Sequence, residues 1–175
     1  MLKKIGITLL LLLAAYLVIA ALLPDHFLVE RRILIKAPPE RIFGLINDLH
    51  AWDSWSPWAH LDPDMRKTHS GAASGPGAIY EWSGNRKVGQ GRMEITASSP
   101  PGAVQMRLDF LEPFESHNLT RFALQAQGEA TEVRWVLEGP SPYVSRLMSV
   151  FVSMDDMVGK DFTTGLANLK AVAER

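Results

Sequence analysis

The spacing of apolar residues divides this chain into three parts. Residues 5–23 form an uncharged, largely apolar run, residues 27–36 and 65–139 alternate between apolar and polar positions, and residues 141–175 carry apolar residues at steps of three and four. Alternation of period two predicts strands with one buried face, and steps of three and four predict an amphipathic helix. The sequence therefore predicts, in order, a helix of membrane length, an antiparallel sheet and a long C-terminal helix.

The C-terminal segment predicts a single helix of about 32 residues and a length of roughly 48 Å. Ser141 and Pro142 form a helix-start signal, because serine caps free amide groups and proline needs no hydrogen bond in the first turn. Gly159 and Gly165 within it mark a bend, a close approach or simply tolerated glycines. A helix of this length needs a sheet-sized cover for its apolar stripe.

Seven short segments have the pattern of antiparallel strands. They are residues 27–36, 65–70, 78–83, 92–97, 104–110, 120–127 and 133–137. Each has one apolar and one polar face, so the sheet is covered on one side only. The predicted fold class is α+β: a curved antiparallel sheet of about six to seven strands wrapped round a long C-terminal helix, with two short helices after the first strand.

The apolar run divides the chain into residues 1–24 and residues 25–175. Its 19 uncharged residues are enough to cross a bilayer as a helix, and Lys3 and Lys4 before it favour a cytoplasmic N-terminus. The alternative is a cleaved signal peptide, since residues 18–20 resemble a cleavage site. Both alternatives predict an extracytoplasmic, periplasmic C-terminal domain, and the first predicts a single-pass membrane protein.

Composition narrows the possible functions. The net charge is −1 without a basic run, which gives no support for nucleic-acid binding, and there is no cysteine for a disulfide, a thiolate metal site or a nucleophile. His50 and His60 flank a tryptophan cluster as a conceivable metal pair, although surface histidines are the simpler interpretation. Glycine pairs at residues 75–77 and 89–91 open no helix and indicate turns and bulges, not phosphate loops. We predict no metal and no cofactor.

Large apolar side chains dominate the predicted inward faces. Trp52, Trp55 and Trp58 lie three apart, and they either plug one end of the core or line a mouth for an apolar ligand. The other predicted ligand-binding residues are Tyr80, Trp82, Met93, Met106, Phe110, Phe122, Trp135, Met154, Met157 and Phe162, and Met148 is also predicted to face inward. Methionines suit adaptable apolar surfaces but also fill ordinary cores. This composition favours a site that holds a ligand by burial.

Two carboxylates are candidates for acid–base chemistry. Asp53 lies inside the tryptophan cluster, and Glu81 lies between Tyr80 and Trp82. A catalytic carboxyl needs apolar neighbours that move its pKa toward neutrality. Asp53 is equally a candidate helix cap, and period two turns Glu81 away from the aromatic face. We assign neither as catalytic.

Three stretches together resemble one known superfamily. They are VERRILIKAPPERIFGLINDLHAWDSWSPW at residues 29–58, GPGAIYEWSGN followed by VGQGRMEI within residues 75–95, and MVGKDFTTGLANLKAVAE at residues 157–174. They are similar to SRPBCC proteins, which include START domains and plant pollen allergens, and within them to the bacterial polyketide cyclase/dehydrase branch. The resemblance implies a helix-grip fold with a deep apolar cavity for a lipid, sterol or polyketide. It carries over no catalytic residue, because these proteins share no catalytic motif.

Three functions stay open at this stage. The first is a membrane-anchored domain that binds a hydrophobic small molecule or lipid. The second is a cyclase or dehydratase that uses Asp53 or Glu81 as a general base on a bound apolar substrate. The third is a cavity-free interaction domain, in which the tryptophans pack as a plug or form a protein-docking patch, although the sequence indicates no particular protein partner.

Overall fold

The computed structural model describes residues 1–112 and 115–175, which form one seven-stranded sheet and four α-helices. The strands are β1 (His26–Ile35), β2 (Arg66–Gly71), β3 (Ala78–Ser83), β4 (Gln90–Ser99), β5 (Ala103–Glu112), β6 (Ser116–Gln127) and β7 (Ala130–Pro140). The helices are α1 (Leu2–Leu22), α2 (Pro39–Asn47), α3 (Tyr143–Ser149) and α4 (Met154–Ala173), with a 3₁₀ turn at Ala51–Ser54. The strand order is β1-β7-β6-β5-β4-β3-β2, and every neighbouring pair is antiparallel. The predicted α+β helix-grip class is confirmed.

Antiparallel pairing gives the sheet two distinct ends. His26 at the start of β1 pairs with Pro140 at the end of β7, and the β3–β4 and β5–β6 connections lie at this same end. Because α1 stops only a few residues before His26, we call it the α1 end of the sheet. The β2–β3, β4–β5 and β6–β7 connections lie at the opposite end.

One face of the sheet carries the core, as the alternation predicts. Helix α4 contacts β1, and α2 contacts β5 and β6 on this inner face. The inward residues include Val29, Ile95, Met106, Val133 and Leu169, all essentially inaccessible to solvent. The outer face carries charged side chains such as those of Arg121 and Glu138, which pair at 2.7 Å.

The long C-terminal helix is confirmed, but it has 20 residues instead of the predicted 32 or so. Helix α3 ends at Ser149, and Ser153 has the extended backbone of a helix cap (φ −75°, ψ 162°). The Ser153 hydroxyl accepts a hydrogen bond from the Asp156 amide, and the Asp156 carboxylate accepts one from the Ser153 amide. This capping box starts a new helix. The Ser-x-x-Asp signal is visible in the sequence, but the continuous apolar periodicity concealed it.

The short helices and the glycine pairs follow the predictions. Helix α2 begins at Pro39 with Glu40 in its first turn, and the 3₁₀ turn forms the second short element. Gly89 has a φ of +64°, which glycine adopts without steric cost, and the β4–β5 register shifts between Gln90 and Gly91. These glycines belong to a turn and a bulge.

Helix α1 is long and apolar enough to cross a bilayer. Residues 3–22 have a mean hydropathy of 2.7, and only 6% of this segment is buried in the protein. A signal sequence has the same properties. The helix could therefore be a membrane span or a signal sequence.

Candidate functional site

The aromatic side chains of the inner face fall into two groups that differ in burial. The first, which we call the closed half, consists of Trp52, Trp55, Phe122, Trp135 and Phe162, all buried. The rings of Trp135 and Phe162 stack at 3.9 Å between centroids, and those of Phe122 and Trp135 stack at 4.8 Å. The closed half packs like a core, with each ring covering its neighbours.

The indole N–H groups of the closed half are all used internally. The Nε1 atoms of Trp52 and Trp55 donate to the carbonyl oxygens of Ile46 and Leu45 at 2.9 and 3.0 Å. The Nε1 atom of Trp135 donates to the Thr120 hydroxyl at 2.9 Å. Buried tryptophans with paired donors are typical of structural positions. Of the two predicted alternatives for Trp52 and Trp55, this packing favours the plug, while Trp58 at the edge is half-buried.

The second group, which we call the open half, is an aromatic shelf of Tyr80, Trp82 and Phe110 near the α1 end. The rings of Tyr80 and Trp82 stack at 5.7 Å, and Phe110 meets Trp82 edge-on at 5.9 Å. The Trp82 indole lies against Gly91 of β4, where an added Cβ would collide with the ring. All three shelf residues are half-buried. Their remaining exposed surface can accept an apolar ligand.

Strand β2 supplies a polar rim to this shelf. In the β2–β3 register Lys67 pairs with Trp82 and His69 pairs with Tyr80, so both lie on the shelf side. The Lys67 ammonium donates to the Asp53 carboxylate at 2.6 Å. Sequence reasoning missed Lys67 and His69, although period two in β2 and the glycine-rich turn after it carried the necessary signal.

Burial raises the pKa of the Tyr80 hydroxyl to about 12, and the negative charge of Asp53 adds to this effect. At neutral pH the phenol therefore stays protonated and able to donate a hydrogen bond. The His69 ring packs on Tyr80 at 5.0 Å and stacks on His50 at 4.1 Å. The Nε2 atom of His69 is buried and has no hydrogen-bond partner among the described residues. The rim thus offers polar groups beside an apolar surface.

The candidate catalytic carboxylates lie outside any apolar enclosure. The Asp53 side chain is 52% exposed and paired with Lys67, and Glu81 lies exposed on the outer face, as period two predicted. His60 contacts the Asp53 carbonyl oxygen while His50 stacks on His69, so the conceivable His50–His60 pair does not form. The described residues contain no cluster of three or more histidine or carboxylate side chains suited to a metal.

The methionines that were predicted to face inward differ in burial. Met93 and Met106 are buried and Met154 is half-buried. The inward placement predicted for Met148 and Met157 is wrong, because these side chains are 57% and 58% exposed. The prediction assumed one uninterrupted helix on the sheet, whereas α3 is a separate helix that packs against α1 and α4 begins anew after Ser153. Met157 therefore points away from the space predicted to hold the ligand.

Two cavities lined by described residues lie outside the space between α4 and the sheet. One of about 360 Å³ lies on the outer face, lined by Arg121, Ala123, Arg134 and Val136 among others. Another of about 110 Å³ lies beside His50, His69 and the β2–β3 turn. Neither lies between α4 and the sheet, where the closed half fills the space. The accessible apolar surface of the inner face is the open half.

Comparison with known proteins agrees with this architecture. A family described as "Polyketide cyclase / dehydrase and lipid transport" matches residues 26–174. The chain belongs to this family. Membership and fold together suggest hydrophobic-ligand binding or a polyketide-cyclase-like function. No curated protein matches the sequence.

Several solved structures share the fold of this chain at low sequence identity. Ginseng major latex-like protein 151 from Panax ginseng is 12% identical, with a TM-score of 0.64 over 87% of this chain and 100% of its own. Protein CV1439 from Chromobacterium violaceum is 15% identical, with a TM-score of 0.59 over 87% and 99%. The Aha1 dimer from Colwellia psychrerythraea is 20% identical, with a TM-score of 0.56 over 85% and 96%. At these identities the likeness establishes the shared fold alone.

Proposed function

We propose that this chain is a membrane-anchored member of the family whose domain, residues 25–175, binds a hydrophobic small molecule or lipid on the open half of its sheet. The observation that carries the proposal is the aromatic shelf of Tyr80, Trp82 and Phe110. Its rings are ordered by contacts with one another, yet each keeps exposed surface. Half-exposed aromatic surface beside a few polar groups is typical of ligand sites.

The binding mechanism is partition from the bilayer onto the shelf. Apolar surface that leaves water contributes about 25 cal/mol per Å², so the ligand's apolar body supplies most of the affinity. The neutral Tyr80 hydroxyl and the Lys67 ammonium at the rim orient a polar end of the ligand. No cofactor is needed for this role.

The anchor in this proposal is α1, retained after export, with the domain in the periplasm. Support comes from the length and apolarity of residues 3–22 and from the two lysines that precede the apolar run. The helix also makes specific hydrogen bonds with α3, including one from the Tyr16 hydroxyl to the Leu147 carbonyl oxygen at 2.9 Å. A signal sequence that is cleaved after export would not need specific contacts with the mature domain.

The test is native mass spectrometry of the full-length chain, purified from membranes and released from its detergent micelle in the gas phase. We expect a reproducible extra mass that disappears after organic extraction and identifies the ligand class. The Tyr80→Ala/Trp82→Ala double variant should lose that mass. The control variant Leu34→Ala, which changes an exposed leucine on β1 outside the shelf, should keep it. A mass retained by the double variant would place the ligand elsewhere, and a clean apo mass would argue against ligand binding.

A cavity-free interaction domain is the second candidate, and the tight packing of the closed half favours it. In that case no preparation would carry an apolar ligand, and purification under mild conditions would recover a protein partner that the Trp58→Ala variant loses. The observation that argues for ligand binding instead is the exposed surface of the shelf, which a plugged interaction domain does not require.

A further inference from the structure

Helix α3 lies directly against the last turns of α1. The Tyr16 hydroxyl donates to the Leu147 carbonyl oxygen at 2.9 Å, and the Tyr143 hydroxyl donates to the Leu17 carbonyl oxygen at 3.0 Å. The Tyr16 ring also packs on the Phe151 ring at 5.6 Å between centroids. These reciprocal contacts fix α3 beside the second half of α1, not above its end.

The charged side chain of α3, that of Arg146, contacts the end of α1. The Arg146 guanidinium donates to the carbonyl oxygens of Ala21 and Leu23, each at 3.2 Å. The last carbonyls of a helix lack partners within it and carry partial negative charge, so a cation at this position stabilises the helix end. Arg146 is therefore bound at the end of α1, and the solvent-facing surface of α3 carries no charge.

The solvent-facing surface of α3 and residues 150–152 is strongly apolar in the isolated protein. Val144, Met148, Phe151 and Val152 follow one another at helical steps, and Val144 and Phe151 are 70% and 78% exposed. Ordinary surface helices carry polar residues on the solvent side, so four neighbouring exposed apolar side chains indicate a surface with a partner.

The position of α3 along α1 indicates which partner this is. Tyr16 lies six residues before the end of α1, which corresponds to about 9 Å along the helix axis. The hydrocarbon core of a bilayer is about 30 Å thick and needs about 20 residues of helix, which is nearly all of α1. When α1 spans the bilayer, the rings of Tyr16 and Phe151 are therefore already below the membrane surface. Interfacial helices bury their apolar face to a similar depth of about 5–10 Å.

We propose that α3 and residues 150–152 form a second membrane contact, with Val144, Met148, Phe151 and Val152 inserted among the lipids of the leaflet that surrounds the end of α1. This inference rests on the proposed function in one respect, the membrane-spanning role of α1. It adds a fixed orientation, because two contacts hold the α1 end of the sheet against the bilayer. Trp82 and Phe110 lie close to that end, so the aromatic shelf lies at the end of the sheet nearer the bilayer.

The absence of cysteine makes this inference directly testable in the full-length chain. Single cysteines replace Met148 and Phe151 in turn, each is labelled with a nitroxide, and the protein is reconstituted in vesicles of phosphatidylethanolamine and phosphatidylglycerol. Accessibility to dissolved oxygen and to a water-soluble nickel chelate is then measured by electron paramagnetic resonance. Leu34→Cys on β1 is the aqueous control, and Leu12→Cys in α1 is the membrane control, since both leucines are exposed in the isolated protein.

We expect the oxygen-to-nickel ratio at positions 148 and 151 to exceed that at position 34 several-fold and to approach that at position 12. An aqueous ratio at 148 and 151 with a membrane ratio at 12 would overturn the inference while leaving the anchor intact. An aqueous ratio at position 12 would overturn the anchor as well. Spin–spin broadening between copies at position 148, with low oxygen access, would assign this face to a second copy of the chain and also overturn the inference.

Discussion

The closed and open halves of the inner face are built from the same kinds of side chain and differ in burial. In the closed half, Trp135 is stacked between Phe122 and Phe162, and its N–H is paired with Thr120. In the open half, Tyr80 and Trp82 stack on each other and keep exposed surface. Residue type alone therefore does not mark a ligand site here. The relevant difference is the presence of a covering layer.

The covering layer is uneven because α4 does not cross the whole sheet. It packs along β1, and its buried residues Phe162, Leu166 and Leu169 reach the closed half. Helix α2 adds cover over β5 and β6. The β2–β3 edge lies beyond both helices, and the aromatic shelf results. Each prediction below tests whether the two halves have different roles, beginning with the largest expected effect.

Replacing Trp135 by alanine should destabilise the protein by about 3–5 kcal/mol, because the change leaves a cavity at the centre of the closed half. Thermal unfolding of the full-length protein in detergent, followed by circular dichroism, measures the loss. Leu34→Ala is the control, with an expected effect within about 0.5 kcal/mol. If Trp135→Ala destabilised no more than Tyr80→Ala, the closed half would not be the structural core that we describe.

Replacing Tyr80 by alanine should weaken ligand binding about tenfold, which corresponds to about 1.4 kcal/mol, while the protein stays folded. The measurement is retention of the native ligand mass, or titration with a lipid once its class is known. Tyr80→Phe serves as the matched control, since it keeps the ring and removes only the hydroxyl donor. Equal losses in both variants would assign the effect to the hydroxyl, and no loss in either would remove Tyr80 from the site.

Replacing Ser153 by alanine should cost about 1 kcal/mol of stability, because the first turn of α4 loses its capping hydrogen bond. The loss should be concentrated at the start of α4, near Met154. Hydrogen–deuterium exchange would detect it as faster exchange in the first turn of α4 with unchanged protection around Leu166. Ser149→Ala, in the last turn of α3, is the comparison variant. Uniformly faster exchange would mean that the break between the helices is not a local feature.

The raised pKa of Tyr80 predicts a loss of stability in alkaline solution. The phenol ionises near pH 10 when unfolded and near pH 12 when folded, so the unfolded state loses its proton first. The contribution of the protonated Tyr80 is fully present below pH 10 and is lost as the pH rises toward 12. Melting temperatures measured from pH 9 to 11.5 should fall more steeply for the wild type than for Tyr80→Phe. Parallel curves would contradict the burial of this hydroxyl.

The smallest expected effects are those of Asp53→Asn and Glu81→Gln. The Asp53–Lys67 pair is partly exposed, and such pairs contribute about 0–1 kcal/mol. Neither variant should alter the native ligand mass or the melting temperature appreciably. If either instead accumulated a ligand that the wild type converts, the cyclase or dehydratase alternative would replace ligand binding as the function.

Most of the architecture could be predicted because it follows from local patterns. Alternation identified all seven strands, and the Pro39-Glu40 start identified α2. The same reasoning failed where two local signals competed. Apolar spacing continues from Leu147 to Val158 across the break, and only the Ser153–Asp156 capping box reveals that the helix restarts. The misplaced Met148 and Met157 are consequences of that single error.

The sequence by itself determined the strand pattern, the apolar N-terminal helix, the family resemblance and the inventory of aromatic side chains. Periodicity shows which face of an element each residue occupies, but it does not show which faces are covered. Only the tertiary structure decided that Trp135 is core, that Tyr80 and Trp82 keep free surface, and that α3 presents apolar side chains beside α1. The physical reason is that burial depends on how far α4 and α2 reach across the sheet, and that reach depends on contacts between residues far apart in the chain.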